Sequence, residues 1–135
     1  MKELLIVLGA MLLLPYLAFA DSERVMMDKS ESALGTSATY NSSPIEATSY
    51  KYLVVTVTSD QDSAVNGVKI EQSCDDDCDS AGSPTYHYTS DWSYTAGSTD
   101  NQYVAELSCK CARVSYTNGI VPQTSFNITS YLKLN

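Results

Sequence analysis

The most definite chemistry in this chain belongs to four cysteines, Cys74, Cys78, Cys109 and Cys111, set as a CxxxC pair and a CxC pair. An even set in a chain whose N-terminus reads as an export signal points to disulfides. Cys109 and Cys111 fall on one face of a strand, so a bridge between them would strain the S–S geometry. Two bridges tying the 74–78 loop to the 109–111 strand are therefore expected, with the pairing open. The alternative is a zinc site of four thiolates, against which both the oxidising compartment and the spacing count. Asp75, Asp76, Asp77 and Asp79 crowd the same loop, and the alternating Asp75, Asp77 and Asp79 offer hard oxygen ligands for weak calcium binding. A solvated acidic loop is the better reading, since no glycine at the sixth position and no closing glutamate complete an EF-hand pattern. His87 is the sole histidine. Without a Gly-x-Ser-x-Gly turn, paired glutamates or a second histidine it has no catalytic partners, and the chain is expected to be no enzyme. Tyr86, Tyr88, Trp92 and Tyr94 recur at even spacing and would place a row of rings on one sheet face, suited to sugars or partner proteins, although core packing explains them as well. Asn41-Ser42-Ser43 and Asn127-Ile128-Thr129 match the N-glycosylation acceptor pattern.

These groups need strands to hold them. Residues 52–58 are dense in β-branched types, with Leu53, Val55 and Val57 on one face. Residues 65–72 alternate Val68 and Ile70 with Lys69 and Glu71, and Asn66-Gly67 marks a bulge or an early turn. The Cys74–Pro84 stretch is a surface loop by composition. Residues 85–95 read as an aromatic strand broken near Ser90-Asp91, and residues 101–107 return through Tyr103, Ala105 and Leu107. The best-patterned stretch is residues 109–131. Ala112, Val114 and Tyr116 alternate on one side, Phe126, Ile128 and Ser130 on the other, and Asn118-Gly119 lies between, which predicts a hairpin with a long arm. Residues 33–50 supply irregular edge strands around Pro44. With no sustained helical period after residue 32 and a turn signal about every ten residues, the fold class is an all-β antiparallel sandwich.

The first twenty residues combine Lys2, an apolar run over residues 4–14 and Ala18-Phe19-Ala20, a secretory signal with cleavage before Asp21. The competing reading is a retained membrane anchor, with the membrane as a partner only in that case. Residues 21–32 read as a flexible leader, and residues 33–135 as one domain. A formal charge of −8 with no cluster of basic residues excludes nucleic acid as a partner.

In order along the chain, Leu34-Gly35, Ala38-Thr39-Tyr40, LVVTVTSDQ, VKIEQS, an aromatic strand ending YTAG, ARVSYTNG and QTSF resemble a β-sandwich module of structural proteins in tailed bacteriophages and related viruses. The resemblance spans about a hundred residues, and ARVSYTNGIVPQTSF, similar to that family's "YVRVxYTNG, then QTxFRL", is its most specific piece. It implies a jelly-roll-like antiparallel sandwich, preceded here by the apolar signal or anchor helix, and a display or attachment role on a particle. The chain departs from the pattern in its cysteine-bearing acidic loop and its signal peptide, which point to folding after export. The expected function is an exported structural or attachment module on a virion or cell surface. The alternatives are a filament subunit that lends residues 21–49 to a neighbour by strand addition, and a secreted carbohydrate-binding domain. Expected partners are other structural subunits, copies of the same chain, or surface glycans.

Overall fold

The computed structural model describes residues 24–78 and 84–134, and the expected signal or anchor helix at residues 1–20 lies outside them. The described residues contain nine strands and no helix: β1 (Arg24–Ser30), β2 (Thr39–Asn41), β3 (Ile45–Glu46), β4 (Tyr52–Ser59), β5 (Ser63–Ser73), β6 (Tyr88–Trp92), β7 (Gln102–Glu106), β8 (Cys111–Asn118) and β9 (Phe126–Lys133). They form two antiparallel sheets. One has the order β1-β9-β4-β7, and the other β2-β8-β5-β6 with β3 also paired to β8.

The two sheets meet through one apolar core. Leu53, Val55 and Val57 from β4, Ile128 and Leu132 from β9, Val68 and Ile70 from β5, and Val114 and Tyr116 from β8 are all 0–1 % exposed. The period of two in these strands puts every second side chain inward, and β-branched types fit the pleat. Tyr116 packs on Phe126 with ring centroids 4.8 Å apart, and Trp92 on Tyr103 at 5.4 Å, each pair joining one sheet to the other. Truncating any of the larger of these to Ala is expected to cost about 2–5 kcal/mol.

Three sequence expectations change. First, β8 and β9 are not a hairpin. β8 pairs with β2, β3 and β5, whereas β9 pairs with β1 and β4, so residues 119–125 carry the chain from one sheet to the other. Neither Asn118 nor Gly119 has positive φ. Asn118 is fully buried and its Nδ2 donates to the carbonyls of Leu34, Gly35 and Val121 at 3.2, 2.9 and 2.8 Å, fastening the crossing to the residues before β2. Gly119 is there for close approach, since a Cβ would sit 2.7 Å from the Asp62 carbonyl oxygen.

Second, the leader expected over residues 21–32 contains β1, which pairs with β9 from Arg24↔Lys133 to Ser30↔Ile128 with a register shift between Met26 and Asp28. That shift breaks the alternation by which a strand is recognised, so a segment without pattern is held by its neighbour's open edge. Third, the aromatic strand is continuous through Ser90-Asp91 and confined to residues 88–92. The expected bulge is present, with Asn66 at φ 54° and a register shift between Ser63 and Val68.

Candidate functional site

The acidic loop leaves β5 at Ser73 and enters β6 at Tyr88, and it lies where β7 ends and β8 begins. Gln72 joins the two sheets there, its Nε2 donating to the Glu106 carbonyl at 2.9 Å and its Oε1 accepting from Ser108 N–H at 2.9 Å. Two disulfides, Cys74–Cys109 and Cys78–Cys111, tie loop to strand, closing sequence separations of 35 and 33 residues. The expected bridging between the two cysteine pairs is thus realised in parallel order, and no described cysteine is free. Cys111 is fully buried at the start of β8, while Cys74 is exposed.

The aspartates of this loop do different work from one another. The Asp75 carboxylate accepts from Thr85 N–H at 2.6 Å and lies 3.6 Å from His87 Nε2. The Thr85 amide first, then Ser73 and His87, hold its carboxyl below the usual carboxylate range. Lys110 Nζ donates to the Asp76 carbonyl at 2.5 Å. Asp77 is exposed, and Asp79 lies outside the described residues. Among the described residues no group of three or more His, Cys, Asp or Glu stands together as a metal cage. Asp75 is thus used to close the loop across residues 75–85. His87 sits beside the strand, its N–H donating to the Gln72 carbonyl at 2.9 Å.

The four aromatic residues do not form one platform. Tyr86 covers the Arg113 guanidinium, whose Cζ lies 3.9 Å from the ring centroid, while Arg113 Nε donates to Glu71 at 2.6 Å. Burial raises the Tyr86 phenol above its ordinary range, with Arg113 working against that rise. Tyr88 is 57 % exposed at the rim, Trp92 is half-buried against Tyr103, and Tyr94 is core. The Tyr94 hydroxyl accepts from Ser59 N–H at 3.0 Å and donates to the Ser59 carbonyl at 2.9 Å. The even spacing failed as a guide because β6 stops at Trp92 and starts only at Tyr88, so Tyr86 and Tyr94 sit on irregular backbone that turns them elsewhere. Asn41 is exposed at the end of β2. Asn127 is half-buried in β9, its Oδ1 accepting from Thr129 Oγ1 at 3.1 Å.

A concave surface outside the residues singled out by spacing is built from three neighbouring strands. Tyr52, Val54 and Thr56 of β4, Gln102 and Val104 of β7, and Tyr131 and Lys133 of β9 line a shallow depression of about 410 Å³ on the outer face of the β1-β9-β4-β7 sheet. Val54 is the partner of Tyr131 and of Val104, and Tyr52 the partner of Lys133, so two rings lie diagonally over a valine floor with an amide and an ammonium at its margins. The signal was present: β4 is apolar or aromatic at Tyr52 and Val54 as well as at its inward positions. A second depression lies between the β4–β5 connection and the crossing at residues 119–121, bordered by Val65, Ile120 and Val121, which are 87, 86 and 47 % exposed.

No family model matches this sequence, and no curated protein matches it. Among solved structures the chain is similar to the "PBSX exported protein XepA", with a TM-score of 0.59 and 16 % sequence identity over 84 % of this chain and 37 % of that one. The likeness is one of fold, and this chain spans little more than a third of that chain's length.

Proposed function

We propose that the chain is an exported, non-enzymatic structural module of phage type, displayed on a virion or cell surface, with residues 1–20 directing it across a membrane. The observation that carries this is the pair of bridges at one end of the fold, because disulfides that close loops of 35 and 33 residues are stable features of an oxidising compartment. The fold's likeness to a protein described as a PBSX exported protein supports the same setting.

The strand order supports the jelly-roll reading. Setting aside the two-residue β3, the pairs are β1 with β9, β2 with β8, β4 with β7 and β5 with β6. First meets last, and so inward to the middle. That is a single long antiparallel ribbon doubled back at the β5–β6 loop and rolled until β4 also meets β9 and β5 meets β8, an arrangement familiar in capsid and lectin domains.

The test is to express the full chain in its source and follow it. Mature protein beginning at Asp21, outside the cytoplasm, oxidised at all four cysteines and co-sedimenting with particles or envelopes, is the expected result. Protein found in the cytoplasm with free thiols, or a catalytic activity abolished by one side-chain change, overturns it.

A carbohydrate-binding reading has one observation in its favour, and it belongs to the Tyr52–Tyr131 depression rather than to β6. Glycan binding that is lost in Tyr131→Ala would support it, and silence on a glycan array removes it. Lending residues 21–49 to a neighbour has weaker support, because β1, β2 and β3 already find partners within the chain.

A further inference from the structure

We propose that the free edge of β7 is a self-association site, at which a second copy of this chain pairs β7 to β7 about a two-fold axis through Val104. β7 closes one end of its sheet. Leu107 N–H donates to the Lys51 carbonyl at 2.7 Å and Val57 N–H to the Asn101 carbonyl at 2.9 Å, which sets the phase of the β4–β7 ladder. Residues 103 and 105 turn their peptide groups toward β4, leaving those of Gln102, Val104 and Glu106 aimed outward. The Glu106 carbonyl accepts from Gln72 Nε2, while among the described residues neither outward group of Val104 has a bonding partner beyond the edge.

Sheet edges are normally protected from pairing by shortness, bulges, lysines or charges. The other edges have such protection: β1 has its register shift and Lys29, β2 and β3 have three and two residues, and β6 carries exposed Asp91. β7 has no bulge, no proline and no lysine; its one charge, exposed Glu106, stands at its last residue, and Val104 at its centre is 49 % exposed.

Its sequence is also complementary to its own reverse. Laid antiparallel about Val104, QYVAE sets Gln102 opposite Glu106 of the second copy, Val104 opposite Val104, and Tyr103 opposite Ala105. An amide meets a carboxylate, two valines meet on the outer face, and a large side chain meets a small one on the inner face. Centring on Ala105 would put Val104 against a carboxylate, and centring on Tyr103 would put Glu106 against Asp100. Charge and size together select Val104. The pairing joins the two sheets into one of eight strands and brings the two Tyr52–Tyr131 depressions alongside its seam. It holds whether or not the module is displayed on a particle.

Sedimentation equilibrium of the oxidised mature chain tests this. The expected species is a dimer. Val104→Pro removes an outward N–H while leaving every β4 bond in place, which an edge strand tolerates, so its dimer dissociation constant should rise at least about tenfold with the fold intact by circular dichroism. Should that variant fail to fold, Val104→Lys, which opposes two ammonium groups across the axis, decides in its place. Ile120→Lys at the second depression should dimerise as the parent does. In a hydrogen-bonded antiparallel pair the Cα atoms stand about 5.5 Å apart, within disulfide range, so Val104→Cys should cross-link to itself under mild oxidation. A monomer at the highest soluble concentration, a dimer abolished by Ile120→Lys but not by the Val104 variants, or absence of the Val104→Cys cross-link overturns the proposal.

Discussion

Single side chains at the crossing between the sheets carry more than their size suggests. The Asn118 amide satisfies three carbonyls from two segments, so Asn118→Ala leaves those acceptors dry and a cavity behind. A loss of about 2–3 kcal/mol in denaturant unfolding is expected. Asp60 holds the far side of the crossing, accepting from Thr124 Oγ1 at 2.5 Å, Thr124 N–H at 3.0 Å and Ser125 N–H at 3.1 Å. Thr124 above all holds its carboxyl at about 2, below the ordinary 3.8. The folded chain therefore binds this proton more weakly than the unfolded chain does. The stability that follows is complete above the ordinary value and is lost as pH falls toward the folded one. A carbon-13 titration should place the Asp60 midpoint near 2, and Asp60→Asn should flatten that part of the acid limb. In the interior, burial pushes the Tyr116 phenol up to about 12, and Gln123 Nε2 donates to its oxygen at 3.1 Å.

At the scale of elements, Gly119→Ala forces a Cβ to within 2.7 Å of the Asp62 carbonyl oxygen, where backbone must yield. It should cost about 1–3 kcal/mol by thermal or denaturant unfolding, whereas an Asn-Gly pair serving only as a surface turn would be far more tolerant. How far the strands could be read from sequence depends on this kind of detail. β4 was plain because Leu53, Val55 and Val57 alternate with half-buried neighbours. β5 was plain for the same reason, and Asn66-Gly67 announced its irregularity. β1 was invisible because Met26 and Met27 are adjacent and the register shifts beside them, so its place is fixed by β9 and not by its own pattern. Asn118-Gly119 misled because those residue types serve two physical needs, local turn geometry and close packing of remote backbone, and only the position of residues 34, 35 and 62 tells them apart. The bridging between loop and strand followed from the cysteine spacing, while the Tyr52–Tyr131 depression, whose residues come from three strands, required the sheet order to be known.

In the whole molecule the two bridges are not independent. Once Cys74 is joined to Cys109, the Cys78–Cys111 bond closes only the few residues between them, so it removes little further freedom from the unfolded chain. Replacing Cys78 and Cys111 together by Ala should therefore cost clearly less than the roughly 2–5 kcal/mol expected on reducing both bridges, as paired urea titrations would show. The nested order of the strands also has a consequence in time. The β5–β6 pair spans the shortest stretch of chain and β1–β9 the longest, so each pair outward from the stapled loop brings together ends that are further apart unless the pair inside it has already formed. The roll should close like a zip from its stapled fold and open from its lips. Amide hydrogen exchange should run in that order, fastest in Arg24–Ser30 and slowest where Ser63–Ser73 meets Tyr88–Trp92.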